Sequence, residues 1–172
     1  MKRILVIGCP GAGKSTFSRE LSKITGLPLF HLDMLWHRSD RTNVSQEEFD
    51  ERLQDILVQE RWIIDGNFQR TMERRLQYCD TVFLLDYPVS LCLESVEGRI
   101  GKERLDMPWV EECFDPEFRQ AIVDFPQTKL PQIYALLERY SGQRTVYIMK
   151  TREQAEKILE EIGSDLCAKK PI

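Results

Sequence analysis

The sequence lacks the long apolar runs that a membrane-spanning segment requires. Its 172 residues are 42% hydrophobic and 30% charged, and no apolar stretch approaches the roughly 20 residues of a transmembrane helix. An apolar run already occupies residues 4–7, which leaves no room for a signal peptide before it. We find no internal repeat, low-complexity tract or domain linker. We therefore expect a cytoplasmic protein without membrane contact, folded as one domain over residues 1–172.

Cysteine is present but lacks the spacing of a structural framework. The five cysteines are scattered and include no C-x-x-C pair. Disulfide-rich domains and zinc sites show paired or closely spaced cysteines, and thiols of cytosolic proteins are normally reduced. We therefore expect free thiols at Cys9, Cys79, Cys92, Cys113 and Cys167.

The chain also lacks an excess of positive charge. Its formal net charge is −4 and its pI is about 5.4. Proteins that bind DNA through its phosphates need a basic surface. Direct nucleic-acid binding is therefore disfavoured, and only a small local basic patch stays open.

What the chain does contain is a complete phosphate-binding loop. Residues 8–16 read G-C-P-G-A-G-K-S-T and directly follow the first apolar run. A helical pattern with Phe17, Leu21 and Ile24 on one face comes next. A strand, a glycine-rich loop with Lys-Ser, and a helix in this order are typical of a P-loop.

The residue types of this loop suit a nucleoside triphosphate with Mg²⁺. Glycines allow backbone N–H groups to turn toward phosphate oxygens, and the helix start adds further donors. We expect Lys14 to contact the terminal phosphates, Ser15 to bind Mg²⁺, and Thr16 to bond a phosphate nearer the base. The residues predicted to hold ATP are Gly8, Pro10, Gly11, Ala12, Gly13, Lys14, Ser15 and Thr16.

Short apolar runs alternate with amphipathic stretches along the rest of the chain. This alternation is typical of an α/β protein with a parallel sheet. The predicted strands cover residues 4–7, 27–32, 61–64, 81–85 and 144–149. The predicted helices cover about 14–24, 45–57, 69–77, 89–100, 118–125, 129–140 and a stretch after Thr151. Pro126 is expected to end its helix, residues 34–44 to form a loop, and residues 168–172 to be a frayed tail.

Aspartates follow three of the predicted strands. Because ligands of parallel sheets bind at the carboxyl ends of the strands, Asp33, Asp65 and Asp86 should share one rim with the P-loop. Asp65 and Asp86 are rival candidates for the Mg²⁺ site, or each caps a helix. Asp33 is a candidate substrate ligand or base, or a turn residue. His31 alternates with Asp33 and is expected to be packed on the opposite face.

Several cations and aromatic residues are candidates for substrate contacts. Arg70 follows Asp65 closely enough to clamp the acceptor, and Trp36 is a candidate for the wall of its pocket. Arg99 and Arg104 flank a glycine in a charged segment, which suits a short lid over residues 99–108 that neutralises the transferred phosphoryl group. Arg152 is a candidate neighbour of the adenine. A solvated surface position remains the alternative for each arginine.

The pattern around the third predicted strand resembles a segment of adenylate kinases. Asp65-Gly66-Asn67-Phe68-Gln69-Arg70 has their Asp-Gly followed by an Arg that grips the nucleotide acceptor. Asn67-Phe68-Gln69 stands where adenylate kinases carry a proline, which argues against AMP as the acceptor.

A longer series of segments resembles the bacterial topology modulation proteins, which are small adenylate-kinase-like P-loop proteins. The resemblance covers nearly the whole chain. Its segments are His31-Leu32-Asp33, residues 62–68, Arg75-Leu76, residues 80–88, Cys92-Leu93, residues 104–107, residues 114–118 and Phe125-Pro126.

This resemblance implies a nucleoside-monophosphate-kinase-like fold, with three α/β/α layers and a five-stranded parallel sheet in the order 2-3-1-4-5. In that fold the aspartate after strand 3 lies beside the P-loop, which favours Asp65 over Asp86 for the metal and the substrate. The resemblance also implies ATP binding and phosphoryl transfer. Arg99 is the main cation of the helix predicted over 89–100, where this family usually has several.

Three functions remain open. The first is a kinase that transfers the γ-phosphoryl group of ATP to a small molecule, with Lys14, Asp33, Arg99 and Arg104 as catalytic residues. The second is a nucleotide-dependent regulator of DNA topology, which the family's name suggests. The third is a simple NTPase. The sequence favours the kinase and leaves open its acceptor, ATP or GTP as donor, and a monomer or a dimer.

Overall fold

A computed structural model describes residues 1–168 of the protein. Its sheet is parallel and five-stranded, in the order β2-β3-β1-β4-β5. The strands are β1 Arg3–Gly8, β2 Leu29–His31, β3 Trp62–Asp65, β4 Thr81–Leu85 and β5 Thr145–Met149. The helices are α1 Lys14–Thr25, α2 Leu32–Trp36, α3 Gln46–Leu57, α4 Gln69–Tyr78, α5 Val89–Glu97, α6 Pro116–Thr128, α7 Leu130–Tyr140 and α8 Arg152–Ala168. The predicted fold class and strand order are confirmed.

The first strand forms the centre of the sheet. β1 pairs with β3 on one side and with β4 on the other. Its core residues 4–7 are fully buried, because helices cover both faces of a parallel sheet and leave no polar face. The P-loop that follows β1 therefore lies in the middle of the rim formed by the carboxyl ends of the strands.

Local signals in the sequence set several helix boundaries. Gly26 takes a left-handed conformation with φ of 66° and ends α1. The Ser45 hydroxyl accepts a hydrogen bond from the Glu48 N–H and opens α3. The Thr151 hydroxyl accepts one from the Gln154 N–H at the start of α8.

Two segments differ from their predicted conformation. Residues 34–36 belong to the short helix α2 instead of a loop, because Leu32, Leu35 and Trp36 share a face toward the core. Pro126 lies inside α6 instead of ending it. The proline ring removes the hydrogen bond to the Ile122 carbonyl, but that carbonyl lies 4.0 Å from Cys9 Sγ and only two residues of α6 follow Pro126. The Lys129 N–H still bonds to the Phe125 carbonyl at 3.0 Å.

Some boundaries also differ by a few residues. β2 is shorter than predicted, and α5 ends at Glu97 instead of residue 100. Of the predicted tail, Ala168 belongs to α8, and residues 169–172 lie outside the described residues. Within residues 1–168, no helix combines the length and the apolar character needed to cross a membrane.

Candidate active site

A cavity of about 1540 Å³ opens at the carboxyl ends of the strands. The P-loop and the first turn of α1 line one part of it, and Asp33, His37, Arg41 and residues 65–68 line another. Residues 98–115, which connect α5 to α6 and are called the α5–α6 segment below, form a further wall. α8 contributes Arg152. The residues predicted to hold ATP line the cavity with the exception of Gly8.

The P-loop packs directly on α5. Gly11 and Gly13 have φ values of 84° and 86°, which L-residues with side chains rarely adopt. A Cβ atom on Gly11 would lie 2.2 Å from the Cys92 carbonyl oxygen. The close approach of the loop to α5 therefore depends on the absence of that atom.

The functional side chains of the P-loop are held by protein groups. Lys14 Nζ donates hydrogen bonds to the carbonyl oxygens of Gly8 and Cys9, each at 3.1 Å. Ser15 Oγ donates to Asp106 Oδ2 at 2.6 Å. Any ligand that binds Lys14 Nζ or Ser15 Oγ must therefore replace these partners.

Asp65 has one satisfied and one free carboxylate oxygen. The residue is 4% exposed. Its Oδ2 lies 2.8 Å from His31 Nδ1, and its buried Oδ1 has no hydrogen-bond partner among the described residues. His31 is packed and does not line the cavity. Its contact with Asp65 was not predicted, and it arises because the two residues occupy paired positions on adjacent strands. The predicted strand order, which places strands 2 and 3 side by side, could have indicated this contact.

Asn67 connects this loop to the P-loop. Its Oδ1 accepts from the Gly8 N–H at 3.1 Å, and its Nδ2 donates to the Gly8 carbonyl at 2.7 Å. No pattern in the sequence indicates this role of Asn67. This pairing fixes residues 65–68 relative to the phosphate-binding loop.

Arg75 holds the same loop from the α4 side. Its side chain is fully buried and donates to the carbonyls of Gly66 at 2.8 Å and Phe68 at 3.1 Å, and also to that of Asn67. Burial lowers the pKa of Arg75 to about 9. Phe68 has φ of 33°, an uncommon conformation for a side-chain-bearing residue, and the three bonds stabilise it. No pattern in the sequence predicts this role of Arg75 either.

Asp33 lines the cavity from the first turn of α2. Burial raises the pKa of Asp33, Lys14 opposes that shift, and the charge of Asp65 adds to it. The carboxyl group of Asp33 therefore takes up a proton more readily than a solvated aspartate does.

The α5–α6 segment is held by ion pairs. Glu111 binds Arg99 at 2.9 Å and Arg104 at 2.8 Å, and Arg104 Nη2 donates to Asp106 Oδ2 at 2.5 Å. Burial would raise the pKa of Asp106, but hydrogen bonds from Arg104 and Ser15 outweigh burial and lower the pKa to about 2. Asp106 therefore stays ionised and ties the segment to the P-loop.

Three predicted residues do not line the cavity. Arg70 forms two 2.8 Å bonds to Asp50 on the outer surface. Trp36 packs edge-on against Phe49 and Phe68. Asp86, the rival for the metal, binds Tyr134 at 2.6 Å and also Lys150. Arg152 does line the cavity, where it donates to Ser95 Oγ at 2.8 Å.

Two oxygen atoms at the cavity could hold a magnesium ion bound to a nucleotide. Within residues 1–168, no cluster of three or more His, Cys, Asp or Glu side chains has the arrangement of a metal site. Mg²⁺ commonly binds through one or two protein oxygens, waters and substrate phosphates. Ser15 Oγ and the free Oδ1 of Asp65 fit that requirement.

Comparisons with known proteins agree with this architecture. No known family profile matches the chain. Adenylate kinases of Thermotoga petrophila and Thermotoga maritima are each 29% identical to it over 91 residues, which are 51% of this chain and 40% of theirs. The chain thus spans about 40% of the length of these curated relatives.

Solved structures match over nearly the full chain. Shikimate kinase from Acinetobacter baumannii in complex with shikimate superposes with a TM-score of 0.63 at 16% identity, covering 100% of this chain and 96% of its own. Shikimate kinase from Bacteroides thetaiotaomicron gives 0.55 at 18% identity, covering 96% and 98%. The protein therefore has an adenylate-kinase-like P-loop kinase fold.

Proposed function

We propose that the protein is an ATP-dependent kinase that phosphorylates a hydroxyl group of a small molecule. One observation supports this most directly: Asp33 and the P-loop residues Lys14 and Ser15 line the same cavity. Phosphoryl transfer needs phosphates held in place, neutralised charge and a group that orients the acceptor. The kinase names of the similar proteins support the same reaction class.

The proposed roles follow from the contacts. Lys14 exchanges its two carbonyl partners for the terminal phosphates, and Ser15 leaves Asp106 for the metal. Arg99 and Arg104 lie in the wall formed by the α5–α6 segment and add positive charge to the transferred group. When bound, Mg²⁺ neutralises phosphate charge, and Ser15 with Asp65 would hold it.

Asp33 is the proposed acceptor base. It faces the cavity, and its raised pKa makes it a better proton acceptor than an ordinary aspartate. Arg152 is proposed to border the adenine. The contacts of Arg70 and Trp36 support no acceptor role for either residue.

The size of the cavity favours an acceptor larger than water. Sites for single ligands commonly measure about 300–1,000 Å³, and this cavity measures about 1540 Å³. It offers space for a nucleotide and a second molecule together. A simple NTPase would need no such second space.

Substitution Lys14→Ala tests the proposal. Removing the ammonium group should lower the kcat/KM of ATP turnover by about 10²–10³-fold, because one preorganised charge at the phosphates is lost. ADP release and calorimetric titration with Mg·ATP measure turnover and binding. Lys23→Ala is the matched control, since Lys23 lies on the same helix, is exposed and pairs only with Glu20 among the described residues. Full activity of the Lys14 variant would defeat the proposal.

The finer assignments belong to the same proposal. We place the protein in the cytoplasm, with ATP as donor and Mg²⁺ as metal. Membership of the topology modulation proteins remains a prediction from the resemblance.

A further inference from the structure

We propose that the acceptor carries no acidic group and is a neutral or cationic hydroxyl compound. This inference rests on the proposed kinase activity and names its substrate class. It separates the protein from kinases whose acceptor bears a phosphate or a carboxylate. Shikimate, which is bound in one of the similar structures, is such a carboxylate.

The acceptor side of the cavity is defined by the sheet order. The triphosphate belongs to the P-loop at the end of β1, and α8 follows β5 on one side of it. The remaining space for the acceptor lies on the opposite side of the P-loop, at the ends of β3 and β2. The cavity-lining residues of that side, called the acceptor wall, are Asp33, His37, Arg41, Asp65, Gly66, Asn67 and Phe68.

The acceptor wall offers no free cation within the described chain. Among the residues of the acceptor wall, Arg41 alone is a lysine or an arginine. Its Nη2 binds Glu112 Oε1 at 2.7 Å. The ring of His37 is bonded to Asn43 through Nδ1 at 2.7 Å. Arg70, the residue predicted to clamp the acceptor, is bound to Asp50 outside the cavity.

The wall does offer a carboxylate. Asp33 faces the cavity, while Asp65 is the residue proposed to hold Mg²⁺. A hydroxyl or ammonium group of the acceptor can donate to the Asp33 carboxylate. A phosphate or carboxylate would instead meet like charge there.

The cations across the cavity do not change this balance. Arg99 and Arg104 are bound by Glu111 and Asp106 within their own segment. Arg19 and Lys102 also line the cavity, where Arg19 bonds to Thr16 Oγ1 of the P-loop and Lys102 to the Gly98 carbonyl of the α5–α6 segment. If Arg99 and Arg104 exchange their partners, the transferred phosphoryl group of ATP lies closer to their proposed role than the far end of the acceptor does. Lys14 likewise serves the triphosphate.

The test compares acceptors in pairs that differ by one acidic group. Suitable pairs are adenosine with AMP, methyl shikimate with shikimate, and glycerol with glycerate, each with Mg·ATP and the wild-type protein. Acceptor-dependent ADP release should show kcat/KM at least about tenfold higher for the member without the acid, because like charges repel. A preference for the acidic members would overturn this inference and leave the kinase intact. ADP release that no acceptor changes would overturn the kinase proposal and this inference with it.

A variant that removes one negative charge next to Arg41 makes the test more specific. Glu112→Gln releases Arg41 and should shift the ratio of kcat/KM toward the acidic member of each pair. Glu117→Gln is the control, because Glu117 is exposed at the start of α6 and makes no ion pair with the described residues. An unchanged ratio in Glu112→Gln would contradict the assignment of the acceptor wall.

Discussion

Gly11 illustrates how the absence of one side chain positions the P-loop against α5. The carbonyl of Cys92 occupies the place where a Cβ atom on Gly11 would lie. Gly13 has nearly the same φ, yet nothing lies within 4 Å of its missing Cβ. The two glycines share a backbone conformation and differ in packing.

Alanine substitutions at these two positions separate backbone strain from packing. Each should cost about 1–2 kcal/mol for a left-handed residue with a side chain. Gly11→Ala should cost about 1–3 kcal/mol more, because α5 or the loop must move. Urea denaturation of both variants measures the difference in the free energy of unfolding. Equal losses would contradict the prediction, because they would show that α5 or the loop moves aside at no cost.

Asp106 ties the α5–α6 segment to the P-loop, and no local sequence pattern predicts this contact. Asp106 bonds both Ser15 and Arg104 while only 4% exposed. Its partner Ser15 carries the hydroxyl proposed for the metal. Release of that hydroxyl therefore requires the wall to move or Asp106 to change partner.

Asp106→Asn should loosen the α5–α6 segment. Losing hydrogen bonds to a charged group costs about 1.5–3 kcal/mol, so amide hydrogens of residues 98–115 should exchange faster in protein without added nucleotide. Hydrogen exchange with mass spectrometry measures this. The control is Glu103→Gln in the same segment, since Glu103 is exposed and makes no ion pair with the described residues. Equal exchange in both variants would contradict the role of Asp106.

The same contact has a defined response to pH. The pKa of Asp106 is about 2 in the folded protein and ordinarily 3.8. Because the folded value is the lower one, the stabilisation is complete above pH 3.8 and disappears as the pH falls through about 2. Protection of the segment should follow that course.

Patterns within one element were sufficient to predict most of the fold. The apolar runs of β1, β3 and β4, the P-loop and the capping residues of α1 and α3 all act over a few neighbouring residues. Pro126 and α2 were mispredicted because the outcome depends on position within the helix and on the core beneath Leu32.

The site contacts that the sequence did not predict share a different cause. Each joins segments that are distant along the chain: Asn67 meets Gly8, and His31 meets Asp65. Such pairs depend on strand order, which in this chain came from a resemblance and not from spacing. The outward position of Arg70 depends equally on its distant partner Asp50.

The charge of the whole molecule argues against a DNA-binding role. The net charge is −4, and the arginines Arg41, Arg99 and Arg104 at the cavity are paired with acidic side chains. Binding to duplex DNA requires several free cations that release counterions.

Fluorescence anisotropy of labelled duplex DNA at low salt checks this point. We expect no change up to about 10⁻⁴ M protein, the weak limit of non-specific binding. Repeating the titration with Mg·ATP controls for a nucleotide-dependent form. A salt-sensitive rise in anisotropy would favour the regulatory function over the kinase.

The two hydrogen bonds between Asn67 and Gly8 link the two loops on which the proposed donor and acceptor bind. One carboxamide joins the backbone that cradles phosphate to the backbone that lines the acceptor wall. If nucleotide and acceptor bind as proposed, a shift of either loop would reach the other through this side chain. Any change that one ligand causes in the affinity of the other is then reciprocal and of the same factor. Asn67 would be the structural link of that coupling.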